Sequence, residues 1–119
     1  MQEKTALQRG NSYEDAAVHF LKSQGYQIIQ RNFRICGGEI DIVARDGQYL
    51  CFIEVKGRKG LYFGDPHEYV VLRKQALIKK TAAYYLAKHH QEDSYVRFDV
   101  VSVCQQSDPQ IELFKHAFE

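Results

Sequence analysis

Residues 38–58 read GEIDIVARDGQYLCFIEVKGR. Two runs rich in valine, isoleucine, leucine and phenylalanine flank a central Asp46-Gly47 pair, which is the pattern of a β-hairpin. Aspartate and glycine both tolerate the positive φ that a tight turn requires. The segment therefore predicts two antiparallel strands, Glu39–Arg45 and Tyr49–Arg58, with Asp46 and Gly47 as the two turn residues.

Pairing across this turn places Arg45 opposite Gln48, so alternate residues of the two strands share one side of the sheet. One side then carries Glu39, Asp41, Val43, Leu50, Phe52, Glu54 and Lys56. The other side carries Ile40, Ile42, Ala44, Cys51, Ile53 and Val55. The first side is apolar near the turn and charged at its far end. A turn with an odd number of residues would break this parity.

The charged end of the hairpin has the composition of a metal site. Converging carboxylates raise one another's pKa unless a cation lies between them. Asp41 and Glu54 lie diagonally across the two predicted strands, close enough to bridge one ion, and oxygen ligands favour Mg²⁺ or Mn²⁺ over zinc. Lys56 is placed to orient a water or to stabilise developing negative charge. These are the parts of metal-assisted phosphodiester hydrolysis.

A structural interpretation of the same residues stays open. Charges that alternate at the end of a strand are often a solvated edge, and Glu54 with Lys56 also fits an exposed ion pair of little energetic consequence. The Glu-x-Lys motif is short enough to occur by chance.

Length and composition predict one domain over residues 1–119, with a core over about 10–104. The chain has 119 residues, of which 45% are hydrophobic. No apolar run approaches the roughly 18 residues of a membrane span, and the N-terminus has no signal-peptide pattern.

The three widely spaced cysteines predict buried thiols in a reducing cytoplasm rather than disulfides. The net charge of +1 argues against a generic basic coat for nucleic acid.

The remaining elements complete an α/β pattern. Helices are predicted over Asn11–Gln24 and Leu72–His89, and further strands over Tyr26–Arg34, Tyr95–Cys104 and Ile111–Phe114. The buried faces of the two helices are predicted to hold Ala16, Ala17, Phe20 and Leu21, and Ile78, Ala82, Tyr85 and Leu86. The order helix, three strands, helix, two strands predicts a central mixed sheet of four to five strands flanked by helices.

Charged residues outside the hairpin have two interpretations each. Glu14 fits a capping box with Asn11 at the start of the first helix, and the alternative is a metal ligand. Lys74, one turn before Ile78, points either toward the sheet or along the surface. Asp99 is expected in an internal ion pair or in a strand-end contact. The second helix also carries four further cations, for which a solvated face and phosphate contact are both open: Arg73, Lys79, Lys80 and Lys88.

The segment that follows the third strand mixes cations with aromatic residues. Arg58 and Lys59 lead into a loop that contains Tyr62 and Phe63. This composition suits contact with a nucleic-acid backbone and stacking on a base. It equally suits a loop whose rings pack on the domain. Exposed Tyr62, Phe63 and Tyr69 are also candidates for a dimer surface.

Several motifs together resemble one known family. They are Gly10-Asn11-x-x-Glu14-Asp15-x-Ala17, Gly25-Tyr26, Arg31-Asn32-Phe33-Arg34, Gly38-Glu39-Ile40-Asp41-Ile42-Val43-Ala44, Phe52-Ile53-Glu54-Val55-Lys56-x-Arg58, Lys74 and Arg97-Phe98-Asp99-Val100-Val101. From about Gly10 to Val103 the chain resembles the YraN-type uncharacterised bacterial family. The resemblance implies a restriction-endonuclease-like fold of the PD-(D/E)xK class, related in pattern to archaeal Holliday-junction resolvases.

The resemblance also implies roles for individual residues. The motif's acids, which bind the metal, fall on Asp41 and Glu54, and its lysine falls on Lys56. The helix-one glutamate that resolvase-like members add to the metal ligands falls on Glu14. Ile40 stands where the motif has proline, and Glu39 is an additional candidate ligand. The implied cofactor is Mg²⁺ or Mn²⁺, the implied partner is nucleic acid, in particular DNA, and the resolvase-like relatives are homodimers.

Two functional hypotheses follow. The first is a metal-dependent nuclease with Glu14, Asp41, Glu54 and Lys56 as its catalytic residues, which acts on DNA, branched DNA included. Its nucleic-acid contacts are expected from Arg58, Lys59, Tyr62 and Lys74. The second is a nuclease-like fold that binds nucleic acid or protein without turnover. Intact Glu54 and Lys56 favour the first hypothesis, and the near-neutral charge favours the second.

Overall fold

Two helices and five strands make up the fold of this protein, which is represented by a computed structural model. The structure describes residues 6–59, 72–105 and 110–119, and their side chains except those of 6–11, 58, 59 and 105. The elements are α1 (Ala6–Ser23), β1 (Gln27–Ile35), β2 (Gly38–Asp46), β3 (Tyr49–Lys59), α2 (Leu72–Lys88), β4 (Tyr95–Gln105) and β5 (Gln110–Phe118). All of the predicted elements are present, and their bounds differ by a few residues.

The five strands form one mixed sheet in the order β1-β2-β3-β4-β5. Neighbouring strands are antiparallel except β3 and β4, which are parallel and are joined by the segment that contains α2. A parallel pair needs such a long connection because its second strand must start at the same end as its first. The prediction of an α/β fold with a mixed sheet is therefore confirmed.

Each face of the sheet packs against one helix. On one face, Ala17, Val18 and Leu21 of α1 meet a cluster formed by Tyr26, Ile42, Ala44, Cys51, Ile53, Val101 and Val103. On the other face, Ile78, Ala82 and Tyr85 of α2 meet Phe33, Ile40, Val43, Leu50, Phe52, Val100, Ala117 and Phe118. The predicted buried face of α2 is confirmed apart from Leu86, which is half-buried, and Thr81 adds to it. In α1, Ala16 and Phe20 are half-buried rather than buried.

Helix α1 begins at Ala6, five residues before the predicted start. Ala6, Leu7, Gln8 and Arg9 are good helix formers, so the helix continues through Gly10 and Asn11. Asn11 therefore lies inside the helix, and the capping-box interpretation of Glu14 is wrong. The predicted end is confirmed: Gly25 has a φ of +91°, and the Tyr26 amide donates to the Leu21 carbonyl at 3.0 Å, which closes the helix as in a Schellman motif.

The hairpin between β2 and β3 forms one position later than the sequence predicts. Asp46 pairs with Tyr49 and Arg45 with Leu50, so the two turn residues are Gly47 and Gln48. Gly47, with a φ of +60°, adopts the left-handed conformation. Asp46 stays in the strand because its carboxylate is bound by Arg97 at 2.7 Å and by Lys115 at 3.2 Å. The turn still contains two residues, so the parity of the strands is preserved.

The alternation of sides is interrupted once in β2. Ile40 packs in the α2 cluster, whereas Ile42 packs in the α1 cluster, so the prediction that both lie on one side is wrong for Ile40. Their partners on β1 are Phe33 and Arg31. Between these partners lies Asn32, whose φ of +55° departs from extended backbone. This kink coincides with the part of β2 that carries Asp41.

Two glycines allow the helices to approach the sheet closely. A Cβ atom on Gly38 would overlap the Thr81 hydroxyl of α2, and a Cβ atom on Gly57 would overlap the Tyr13 ring of α1. Both helices are therefore held against the charged end of the β2–β3 hairpin.

A buried ionic network lies at the opposite end of the sheet. The Arg97 guanidinium donates to Asp99 at 2.9 Å and to the Tyr26 hydroxyl at 2.8 Å. The Tyr26 hydroxyl and the His116 amide also donate to Asp99, at 2.9 and 3.1 Å. Burial and the neighbouring Asp99 carboxylate raise the pKa of Tyr26, so its hydroxyl keeps its proton. The expectation that Asp99 forms an internal ion pair is confirmed.

Strand β5 extends four residues beyond its predicted end, to Phe118. The added residues continue the pairing with β4, and the Phe118 ring stacks on Phe98 with 5.1 Å between ring centroids.

All three cysteines are free thiols. Cys51 and Cys104 are buried as expected, but Cys36 is exposed in the β1–β2 turn. Within the described ranges, neither helix is long and apolar enough to cross a membrane.

Replacing Arg97 by methionine should destabilise the fold by about 3–5 kcal/mol, because it leaves the fully buried Asp99 carboxylate without its cation. Urea unfolding followed by circular dichroism measures this change. The matched control is Arg34→Met, at an exposed arginine, which should cost less than about 1 kcal/mol. Equal effects of the two substitutions would contradict a structural role for the network.

Candidate active site

A cleft of about 180 Å³ opens between the charged end of the β2–β3 hairpin and α2. Its lining residues come from the β1–β2 turn, β2, β3 and α2: Gly37, Gly38, Glu39, Asp41, Glu54, Lys74, Leu77 and Ile78. The cleft therefore gathers three acidic residues and one lysine.

Glu54 is buried and paired with two lysines. Its Oε1 atom lies 2.6 Å from the Lys74 Nζ atom and 3.6 Å from the Lys56 Nζ atom. Only 8% of the Glu54 side chain is exposed, so these contacts are poorly screened by solvent. Lys74 therefore points toward the sheet rather than along the surface.

Asp41 is tied to the strand that carries Glu54. Its Oδ2 atom accepts a hydrogen bond from the Val55 amide at 2.8 Å. Burial, followed by repulsion from Glu54, raises the pKa of Asp41 to about 7, although the Val55 hydrogen bond opposes the shift. Glu39 and Glu14 raise this pKa further. The structure thus brings Asp41 and Glu54 together on one side of the sheet, as the parity of the hairpin predicts.

Glu14 approaches Asp41 from α1. It is buried, and its Oε1 atom accepts hydrogen bonds from Arg31 at 2.7 Å and from Asn32 at 3.0 Å. The kink at Asn32 thus helps to hold Glu14 close enough to influence Asp41. The sequence alone does not indicate these roles of Arg31 and Asn32. An asparagine within a β-rich run is the signal that could have drawn attention to the kink, because asparagine is depleted in strands.

Glu39 differs from the other acids in being exposed. Its carboxylate lies at the rim of the cleft and 3.4 Å from the Arg34 guanidinium.

The two lysines of the cleft respond differently to their surroundings. Burial and the neighbouring Lys74 lower the pKa of Lys56. Burial opposes the charged form of Lys74 as well, but its interactions with Glu54, Lys56 and Asp41 together outweigh this, and the pKa of Lys74 is raised. Lys56 is therefore the more readily deprotonated of the two, and Lys74 is the firm counter-ion of Glu54.

The predicted nucleic-acid contacts lie largely beyond the described part of the molecule. Arg58 and Lys59 belong to β3, but their side chains lie outside the described residues. Tyr62, Phe63 and Tyr69 also lie outside them. The four other cations of α2 are exposed, which is compatible with both a solvated face and phosphate contact: Arg73, Lys79, Lys80 and Lys88.

Asp41 and Glu54 fit a hard divalent cation by donor type and by their mutual repulsion. Among the described residues, no three Asp, Glu, His or Cys side chains lie close enough together to enclose an ion. Mg²⁺ does not need such a cage, because it is commonly held by one or two carboxylates together with water and substrate phosphates. The pair therefore suits an open site rather than an enclosed structural one.

The described residues define an α/β protein whose five-stranded mixed sheet has a helix on each face and a cleft that pairs acids with lysines. The chain belongs to the uncharacterised protein family UPF0102, whose model matches residues 13–103. This is the YraN-type family that the motifs indicate, so the resemblance is confirmed.

Relatives of similar length occur in several bacteria. The chain is 47% identical over 111 residues to a UPF0102 protein of Geobacter metallireducens, covering 92% of this chain and 91% of that protein. It is 43% identical over 112 residues to one of Caldicellulosiruptor saccharolyticus, covering 92% and 95%. A third, from Clostridium botulinum, is 42% identical over 114 residues, with 92% and 93% covered. Each is similar to this chain over most of its length.

Replacing Asp41 by asparagine should stabilise the metal-free protein increasingly as the pH rises from 5 to 8. The pKa of Asp41 is about 7 in the fold against an ordinary value of 3.8. Between these two pH values Asp41 is ionised in the unfolded chain but still protonated in the fold, so the fold loses stability as the pH rises. Asparagine has no charge to desolvate, and its amide oxygen still accepts the Val55 hydrogen bond. Thermal unfolding in chelator should show the full gain at pH 8, about a third of it at pH 5 and little of it below pH 4.

The matched control is Glu39→Gln, at the exposed acid on the rim of the cleft, for which the pH dependence of the difference should be much weaker. A gain for Asp41→Asn that does not change between pH 5 and 8 would contradict the raised pKa.

Proposed function

We propose that the protein is a Mg²⁺- or Mn²⁺-dependent nuclease that hydrolyses phosphodiester bonds of DNA. The observation that supports this most strongly is the pairing of Asp41 and Glu54 on adjacent strands in one cleft, with the pKa of Asp41 raised to about 7. A fold gains no stability from two carboxylates that repel each other, whereas a divalent cation between them removes the repulsion. The resemblance to the PD-(D/E)xK class also implies that Asp41 and Glu54 are the metal ligands.

In the proposed site, Asp41 and Glu54 would hold the cation, and Glu14 acts on Asp41 electrostatically. The cation would supply Lewis-acid activation of the phosphate and a bound water of lowered pKa. Glu14 adds negative charge from α1, and its carboxylate is held by Arg31 and Asn32 of β1. Glu39, on the rim, remains a further candidate ligand.

The lysines have separate tasks in this proposal. The lowered pKa of Lys56 suits a group that orients the attacking water and exchanges a proton with it. Lys74 keeps its charge, which suits contact with a substrate phosphate. Lys74 and the cation would compete for Glu54, because both are attracted to its carboxylate.

Resemblance to resolvases supports branched or otherwise distorted DNA as the substrate. It also supports a homodimer, in which two sites would cut two strands. Arg58, Lys59 and Tyr62 are proposed as additional contacts to the DNA backbone and bases.

The second candidate function is a nucleic-acid-binding or protein-interaction module without turnover. The observation that favours it is the pairing of Glu54 with both Lys74 and Lys56, which compensates the charge of Glu54 without a divalent ion. A binding module would keep this arrangement with or without a divalent ion.

Asp41→Asn and Glu54→Gln should each reduce cleavage about a hundredfold or more, because each removes a ligand whose cation supplies several kcal/mol of transition-state stabilisation. The assay compares linear, flapped and four-way DNA, together with RNA, in Mg²⁺ or Mn²⁺. Asp93→Asn is the matched control, because Asp93 is an exposed acid two residues before the start of β4. This variant should cleave like the wild type. Cleavage unchanged in both site variants would contradict the proposed site.

Lys74→Gln should tighten Mn²⁺ binding about fivefold, since it removes the ammonium that competes for Glu54 at a partly exposed position. Calorimetric titration measures the affinity, and the rise in melting temperature with Mn²⁺ gives an independent measure. Lys79→Gln removes an exposed lysine of the same helix and should leave the affinity unchanged. Weaker Mn²⁺ binding by Lys74→Gln would show that Lys74 supports the cation rather than competing with it.

A further inference from the structure

The outward face of α2 carries an aligned set of exposed residues that packing against the sheet does not use. Arg73, Leu77, Lys80 and Tyr84 are spaced by four, three and four residues, so they lie along one side of the helix. All four are exposed, Tyr84 by 56% and Leu77 by 42%. We refer to these four residues as the outer stripe.

The outer stripe begins at the cleft. Leu77 belongs to the stripe and also lines the cleft beside Lys74 and Glu54. From Lys74 to Tyr84 the helix rises by about 15 Å. That distance corresponds to roughly four nucleotides of a stacked strand. A strand bound in the cleft therefore reaches Tyr84 if it follows the helix.

A shallow groove of about 240 Å³ surrounds Tyr84. Its other lining residues are Lys80, Ala83 and Ala87, so small side chains on both sides leave one face of the helix open around the ring. An isolated exposed tyrosine needs no explanation. Here the ring adjoins a lysine, in the combination by which proteins stack and hold unpaired bases.

The charge of α2 favours a polyanion on this face. The helix contains five lysine or arginine residues and no acidic residue. Of these five residues, Lys74 points inward to Glu54, and the other four are exposed. The near-neutral net charge of the whole chain thus hides a helix whose exposed charges are all positive.

We propose that the outer stripe binds an unpaired segment of the nucleic-acid substrate, with Tyr84 stacked on a base and Lys80 and Arg73 on phosphates. The inference rests on the proposed function for the identity of the ligand, and it adds that the substrate has a single-stranded portion beside the cleavage site. Bases in a duplex are already stacked on each other, so Tyr84 favours a flap, a gap or a branch over a continuous duplex.

A tryptophan probe tests the stacking directly, because the chain contains no tryptophan. In chelator, a single-stranded oligonucleotide should quench the emission of Tyr84→Trp in a saturable way, and a duplex of the same length should quench it much less. The matched control is Tyr95→Trp, at a tyrosine that is 65% exposed at the start of β4 and should show no saturable quenching. Equal responses at the two positions would overturn the inference.

Affinity measurements separate the ring from the charge. Tyr84→Ala should weaken binding of the single strand about fivefold or more, and Tyr84→Phe should retain it. Lys80→Gln should lower the slope of log affinity against log salt by about one, while Lys79→Gln, on the same helix but off the stripe, should not. Unchanged affinity in Tyr84→Ala would overturn the inference.

Two further results distinguish this inference from the proposed nuclease. Quenching at position 84 that persists in Asp41→Asn supports the binding face even where cleavage is lost. Cleavage by the wild type without quenching at position 84 overturns the binding face and leaves the nuclease standing. Tyr84→Ala that converts a dimer to a monomer in sedimentation, with unchanged oligonucleotide affinity, assigns the face to a second copy and also overturns the inference.

Discussion

The repulsion between the Asp41 and Glu54 carboxylates is the constraint around which the cleft is organised. The hydrogen bond from the Val55 amide to Asp41 ties the two strands together at this point, so the acids cannot separate. Two features accompany this arrangement. Burial, followed by the repulsion from Glu54, raises the pKa of Asp41, and Lys74 and Lys56 lie close to Glu54. A cleft that holds unfavourable charge in this way is typical of a functional site, because the rest of the fold must supply the stability that such a site lacks.

That stability comes in part from the other end of the sheet, where the charges are fully matched. Arg97 and Asp99 are buried together, and the remaining hydrogen-bonding atoms of Asp99 are met by Tyr26 and the His116 amide. Such a network ties together the ends of several strands and leaves no charge in need of a cation. The two ends of the molecule thus contain similar residue types in opposite electrostatic states. The buried Asp99 carboxylate has a cation and enough hydrogen-bond donors for both of its oxygens, whereas Asp41 in the cleft faces another carboxylate.

Much of this arrangement is encoded locally, and the departures have identifiable causes. The hairpin and its parity could be predicted because a two-residue turn constrains every pair that follows. Its register moved because Asp46 is held by Arg97 and Lys115, which are distant in sequence. The start of α1 moved because helix propensity in residues 6–9 outweighed the cap at Asn11. Ile40 changed sides opposite the kink at Asn32, and alternation alone gives no warning of a backbone with positive φ.

Helix α2 links the interior of the cleft to the surface, because one rigid element carries both sets of cations. Ile78 and Tyr85 anchor the helix in the core, so Lys74 on its inner side and Lys80 on its outer side keep a fixed relation. Inside the cleft, Lys74 compensates a carboxylate when no cation is bound, whereas outside it the charge of Lys80 faces water. A phosphate chain that enters the cleft would release Lys74 from Glu54 and extend along the exposed cations. In the proposed function, the lysine that compensates Glu54 would thus become part of a continuous positive path along α2.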